Sequence, residues 1–74
     1  MSEYEEGRVA GRARGAELFD WAFSEVERDE IATSKAMRNS AEYIAGLRRG
    51  LKEAFEVAQL AVLKEFDLKE SNVE

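Results

Sequence analysis

Seventy-four residues make one domain at most, and a chain this short buries only about 60% of its unfolded surface, so its own core is thin. There is no cysteine and no histidine, which removes disulfides, thiolate or imidazole metal sites and the usual general base. The net charge of −5 favours solubility and works against nonspecific phosphate binding.

Alanine, glutamate, leucine, arginine and lysine dominate, proline is absent, and no stretch alternates with period two; the expected class is all-α. The longest mostly apolar run, Val57 to Leu63, is far below the ~20 residues a membrane span requires. The opening "MSEYEEGR" is acidic and has no apolar segment, so no signal peptide is expected and a cytoplasmic location is the default.

The first predicted helix runs from about Glu3 to Arg28. Ser2 and Glu5 have capping-box spacing, Glu3, Glu5 and Glu6 suit the positive end of the helix dipole, and Glu5 can reach Arg8 one turn on. Its start lies upstream of "GRVAGRARG", where Gly7, Gly11 and Gly15 recur at every fourth position. At 100° per residue these glycines share an arc of about 100° with Leu18, Ala22 and Val26, with Phe19 and Phe23 beside it. Three interior glycines cost roughly 1 kcal/mol each relative to alanine, which close backbone approach by a second helix would offset. The alternative is a mobile glycine–arginine arm.

The break between helices is weakly written. "ERDEIATSK" stacks acids where a helix carboxyl end disfavours them and then supplies Thr33 or Ser34 as a cap, while "RNSAEY" offers Asn39 or Ser40. Residues 31–39 are therefore either the start of the second helix or a short connecting helix. The second predicted helix, about Ser34 to Phe66, carries a stripe of Met37, Ser40, Ile44, Leu47, Leu51, Ala54, Phe55, Ala58 and Val62. Gly46, Gly50, Ala54 and Ala58 repeat the small-residue interval. Two small-residue rows suit an antiparallel two-helix hairpin meeting at short separation. Residues 1–66 form the expected domain, and 67–74 a polar, frayed tail.

Near the carboxyl end of the second helix Leu60 and Leu63 point away from the main stripe, with Val57 between. A helix apolar on both sides is covered on both sides, so the expected cover is a second copy, two hairpins making a four-helix bundle. Trp21, on the otherwise polar side of the first helix, joins Val57, Leu60 and Leu63 as a candidate partner or oligomer contact.

Candidate chemistry is sparse. Glu17 with Asp20 and Glu53 with Glu56 pair carboxylates, but the Glu-x-x-His of di-metal bundles is impossible, and Gly7–Gly15 lacks the Lys-Ser/Thr end of a phosphate loop. No catalytic residue, metal, cofactor or small-molecule substrate is assigned. The bases Arg38, Arg49 and Lys52 each precede a glutamate by four residues, so a salt-bridged face is expected rather than a nucleic-acid ridge.

The spacing "YEEGRVAGRARG" resembles the glycine-every-fourth repeats of flagellar export-ATPase regulators and of some eukaryotic assembly adaptors, with an echo from Gly46 to Ala58. That resemblance implies tight helix packing and action as an adaptor or dimeric regulator; no residue roles are carried across. The expected function is a small non-enzymatic protein-binding module, an adaptor or regulator that self-associates, with a protein partner. The alternative is an inhibitor that imitates nucleic acid through Glu17, Asp20, Glu25 and Glu27, within a stretch, 17–30, holding six acids and one base.

Overall fold

The computed structural model describes the backbone of residues 2–71 and the side chains of residues 2–64. Three α-helices and no strand occur among these residues: α1 Glu3–Leu18, α2 Phe23–Ala36 and α3 Ala41–Ser71. The chain is all-α, as composition predicts. The two-helix hairpin is corrected, because the first predicted helix divides at residues 19–22 and its second half becomes the separate helix α2. The expected tail, 67–74, overlaps α3 at 67–71; 72–74 lie outside the described residues.

Local chemistry accounts for most of the ends. Ser2 accepts a hydrogen bond from the Glu5 backbone N–H at 3.2 Å, capping α1. Ser40 does the same for Tyr43 at 3.1 Å, so it caps α3, while Thr33 and Ser34 belong to the last turns of α2. The carboxyl end of α2 is closed by bonds from the Arg38 N–H to the Lys35 carbonyl and from the Asn39 N–H to the Ser34 carbonyl. This is a Schellman closure with Arg38 at φ 59° in the left-handed position that glycine usually takes. The amino end of α2 has no such help, since Ala22 offers no side-chain cap. Buried Ser34 accepts a bond from the Asn39 amide at 2.8 Å.

The glycine rows meet, but in the opposite sense to a hairpin. Gly7 lies against Tyr43 and Leu47, Gly11 against Leu47, Gly50 and Leu51, and Gly15 against Leu51 and Ala54. The numbers rise together, so α1 and α3 run parallel. The contacts are also reciprocal: Gly7 faces the Tyr43 carbonyl and Gly46 the Tyr4 carbonyl, Gly11 faces that of Leu47 and Gly50 that of Arg8. Each pair is its counterpart shifted by 39 positions (42 − 3, from Glu3 to Glu42), and the pattern Glu-Tyr-x-x-Gly-x-x-x-Gly stands at both Glu3 and Glu42. Two copies of one helical segment thus pack about an approximate local two-fold axis. All five glycines are buried, Gly7, Gly11, Gly46 and Gly50 against backbone and Gly15 against the Ala54 methyl, which is how their helix-propensity cost is offset.

Helix α2 supplies the return path that parallel neighbours require. It runs antiparallel to α3: Phe23 meets Phe55 edge to face with ring centroids 5.2 Å apart, while Ile31 and Lys35 border Arg48. Val26 and Ile31 of α2 join Leu47 and Leu51 of α3 as the core, with Leu51 fully enclosed. Ion pairs tie the helices at the rims. Arg8 donates from Nε and Nη2 to the two Glu53 oxygens at 2.7 and 3.1 Å, and Arg14 donates from Nε to Glu30 at 2.7 Å. Of the pairs expected within helices, Glu5–Arg8 and Arg49–Glu53 form, at 3.6 and 3.5 Å. Arg38–Glu42 and Lys52–Glu56 are not among the ion pairs of the described residues, and Arg38 lies outside α3 altogether.

The register sets the shape. Gly15 opposite Ala54 brings the end of α1 level with residues 57–58, and α3 continues alone beyond. The molecule spans 55 × 25 × 14 Å, and its 15.0 Å radius of gyration exceeds the about 11 Å of a compact chain of this length.

Candidate functional site

The distinctive surface is where α1 stops and α3 goes on. Residues that continue the inward faces of α3, Ala58 and Val62 towards α2, and Val57 towards α1, run past the helices that cover those faces lower down. Phe19, just beyond the end of α1, stands between two open clefts. One, about 490 Å³, is walled by Phe19, Phe23, Phe55, Ala58 and Val62, with Lys52, Glu56 and Gln59 at its polar rim. The other, about 350 Å³, lies between Phe19, Ala16 and Arg12 on one side and Ala54, Val57 and Ala58 on the other.

Val57, Leu60 and Leu63 are 56, 65 and 53% exposed, and Val62 is 58% exposed. Apolar side chains therefore surround most of the α3 circumference over residues 57–63. Leu60 and Leu63 share a shallow groove with Glu56 and Gln59, which divide it from the aromatic cleft. Trp21 is exposed but does not sit on helix one as expected. It lies in the turn after α1 and borders a different cleft, with Arg14, Leu18, Glu25 and Glu30. The structure brings Val57, Leu60 and Leu63 together on one helix and places Trp21 apart from them.

The glycine row is not a free surface, since α1 and α3 occupy each other's. Nor are the interleaved arginines a free basic ridge: Arg8 is held by Glu53 and Glu5, Arg14 by Glu30 and Glu17. The hydrogen bonds and charge of these acids raise both guanidinium pKa values above their ordinary range. The Arg8 hydrogen bonds hold the Glu53 carboxyl below its usual value, against the opposing effect of its partial burial.

The four acids of the alternative reading do not share one face. Glu17 pairs with Arg14 at 3.0 Å, and Asp20 follows in the turn. Glu25 borders the cleft with Arg14 and Trp21, whereas Glu27 borders one on the other side of α2 with Arg28, Lys35 and Arg48.

Among the described residues no three acidic side chains gather in a form that could hold a metal ion, and no buried side-chain polar atom lacks a hydrogen-bond partner. No helix there is long and apolar enough to cross a membrane.

Sequence reasoning placed Phe55 and Val62 on the packing stripe of the second helix and Phe19 beside that of the first, and did not assign them to the exposed site. Their exposure follows from where α1 ends, and no local signal marks that end. No protein-family model, no curated protein and no solved structure matches this chain.

Proposed function

We propose that the chain is a small protein-binding module, an adaptor or regulator, that self-associates through the free end of α3 and acts by binding rather than catalysis. The observation that carries the reading is the pair of apolar surfaces on α3 beyond the end of α1, with Leu60 and Leu63 on one side and the Phe19–Phe55–Val62 cleft on the other. Solvated apolar side chains on two sides of one helix are what a contact between molecules removes from water, at about 25 cal/mol for each Å² covered. With three helices per chain, the contact proposed is α3 against α3 rather than two hairpins forming a bundle. The aromatic cleft stays open in that arrangement and suits an apolar anchor from another protein.

Sedimentation at micromolar concentration tests the reading. The wild-type chain should run as a dimer, and the double variant Leu60→Glu, Leu63→Glu as a monomer with its helix content retained. A wild-type chain that stays monomeric at about 100 μM, weaker than the micromolar affinity expected of a working contact, overturns it.

A further inference from the structure

We propose that the second copy docks antiparallel along α3 with Leu60 on the two-fold axis, so that Val57 meets Leu63 and Glu56 meets Lys64 of the other copy, each twice. This rests on the self-association proposed above and adds its orientation and register.

The pattern around Leu60 is complementary to its own reversal. At 100° per residue Glu56, Val57, Leu60, Leu63 and Lys64 fall within an arc of about 120° on α3. Three residues before and after Leu60 stand the apolar Val57 and Leu63. Four residues before and after stand the opposite charges Glu56 and Lys64. An antiparallel pair with its axis at Leu60 sends each position to its mirror image, so apolar meets apolar and acid meets base. A parallel pair would set Glu56 on Glu56 and Lys64 on Lys64, and flanking charges of this kind select the orientation of paired helices. Among the described residues neither Glu56 nor Lys64 takes an ion-pair partner within the chain.

A second observation concerns shape. The shallow groove on this face is lined by Glu56, Gln59, Leu60 and Leu63, at positions i, i+3, i+4 and i+7. Four residues at that spacing form the hole into which a side chain of a facing helix inserts. Leu60 of the second copy lies opposite it in the proposed register. Leu60 and Leu63 at the centre of this face border α3 residues alone, α2 packing on the Leu51–Phe55 side, while Val57 stands at its edge, beside the cleft under the end of α1.

The absence of native cysteine makes the register directly readable. Val57→Cys and Leu63→Cys chains are prepared separately, oxidised alone and as an equimolar mixture, and weighed by mass spectrometry. The mixed disulfide should dominate in the mixture, with little crosslinking of either variant by itself. Val57→Cys joining itself as readily as it joins Leu63→Cys indicates a parallel pair and overturns the proposal. A wild-type dimer by sedimentation that yields no mixed disulfide also overturns it, while leaving self-association standing. A monomeric wild-type chain removes both. Charge reversal gives an independent reading: Glu56→Lys or Lys64→Glu alone should weaken the dimer about ten-fold, and mixing the two should restore it. Single reversals that leave the dissociation constant unchanged overturn the register.

Discussion

A Cβ built on Gly11 would overlap the Leu47 carbonyl oxygen and lie 2.8 Å from the Leu51 nitrogen, both backbone atoms that cannot swing aside. Alanine in an exposed helix interior stabilises by about 1 kcal/mol over glycine. Here the sign reverses, and Gly11→Ala should lose about 1–3 kcal/mol as the helices are forced apart, read as a lower urea midpoint. Arg38 presents the opposite case. Its left-handed backbone closes α2 in a conformation that side chains with a Cβ resist, and the residue is exposed without an ion pair among the described residues. Arg38→Gly should therefore gain about 1 kcal/mol, read as a higher midpoint with an unchanged slope. Both the glycine spacing and its close-packing meaning are legible in the sequence. The left-handed arginine is not, because nothing local distinguishes "AMRNS" from a helix that simply continues.

Between elements, the glycine seam brings α1 and α3 together and Glu53 clips them at the rim. Its carboxyl lies below the ordinary carboxylate range chiefly because Arg8 donates hydrogen bonds to it, with the charges of Arg8 and Arg49 adding to the effect. A group whose folded pKa is depressed adds stability above its unfolded value and loses that contribution as pH falls through the folded value. Wild type should thus melt higher than Glu53→Gln at about pH 6, and the difference should shrink as the pH falls below the ordinary glutamate value of about 4.3, followed by circular dichroism. The ionic link was hidden from sequence reasoning because its partners lie 45 positions apart and belong to helices expected to run in opposite directions. Helix direction itself turned on one unmarked event. The segment "FDWAF" has neither glycine nor proline, and Ala22 provides no side-chain cap, yet α1 ends there. Turning the chain at that point lets Val26 and Ile31 fold back onto Leu47 and Leu51, and that burial outweighs continued helix formation.

At the scale of the whole molecule, a body of three helices carries a single helix that projects from one end. The seam and core lie between residues 7 and 55, while Leu60 and Leu63 border only other residues of α3. Backbone amides of Leu60 to Lys64 should exchange faster than those of Leu47 to Phe55 in dilute solution, since few tertiary contacts resist opening of that stretch. Their protection should rise with protein concentration as the second copy docks, measured by hydrogen exchange and mass spectrometry across a dilution series. Uniform protection at every concentration would contradict both the unpartnered end and its proposed use. The apolar surplus at Leu60 and Leu63 was legible because two faces of one helix cannot share one neighbour. The aromatic cleft was not, for Phe19 flanks by phase the face of α1 that α3 covers, and Val62 continues the face of α3 that α2 covers.

Sequence alone determined the helical class, the small-residue rows that let helices touch, and the excess of apolar side chains near the carboxyl end of α3. These depend on composition and on periodicities within one helix, which neighbouring residues control. Only the tertiary structure decided that α1 and α3 are parallel, that a third helix carries the chain back between them, and that the exposed end begins beyond Phe19. Parallel and antiparallel contacts bury the same glycines, so the rows carry no direction. The choice fell to distant partners, Val26 and Ile31 against Leu47 and Leu51, which no local window contains.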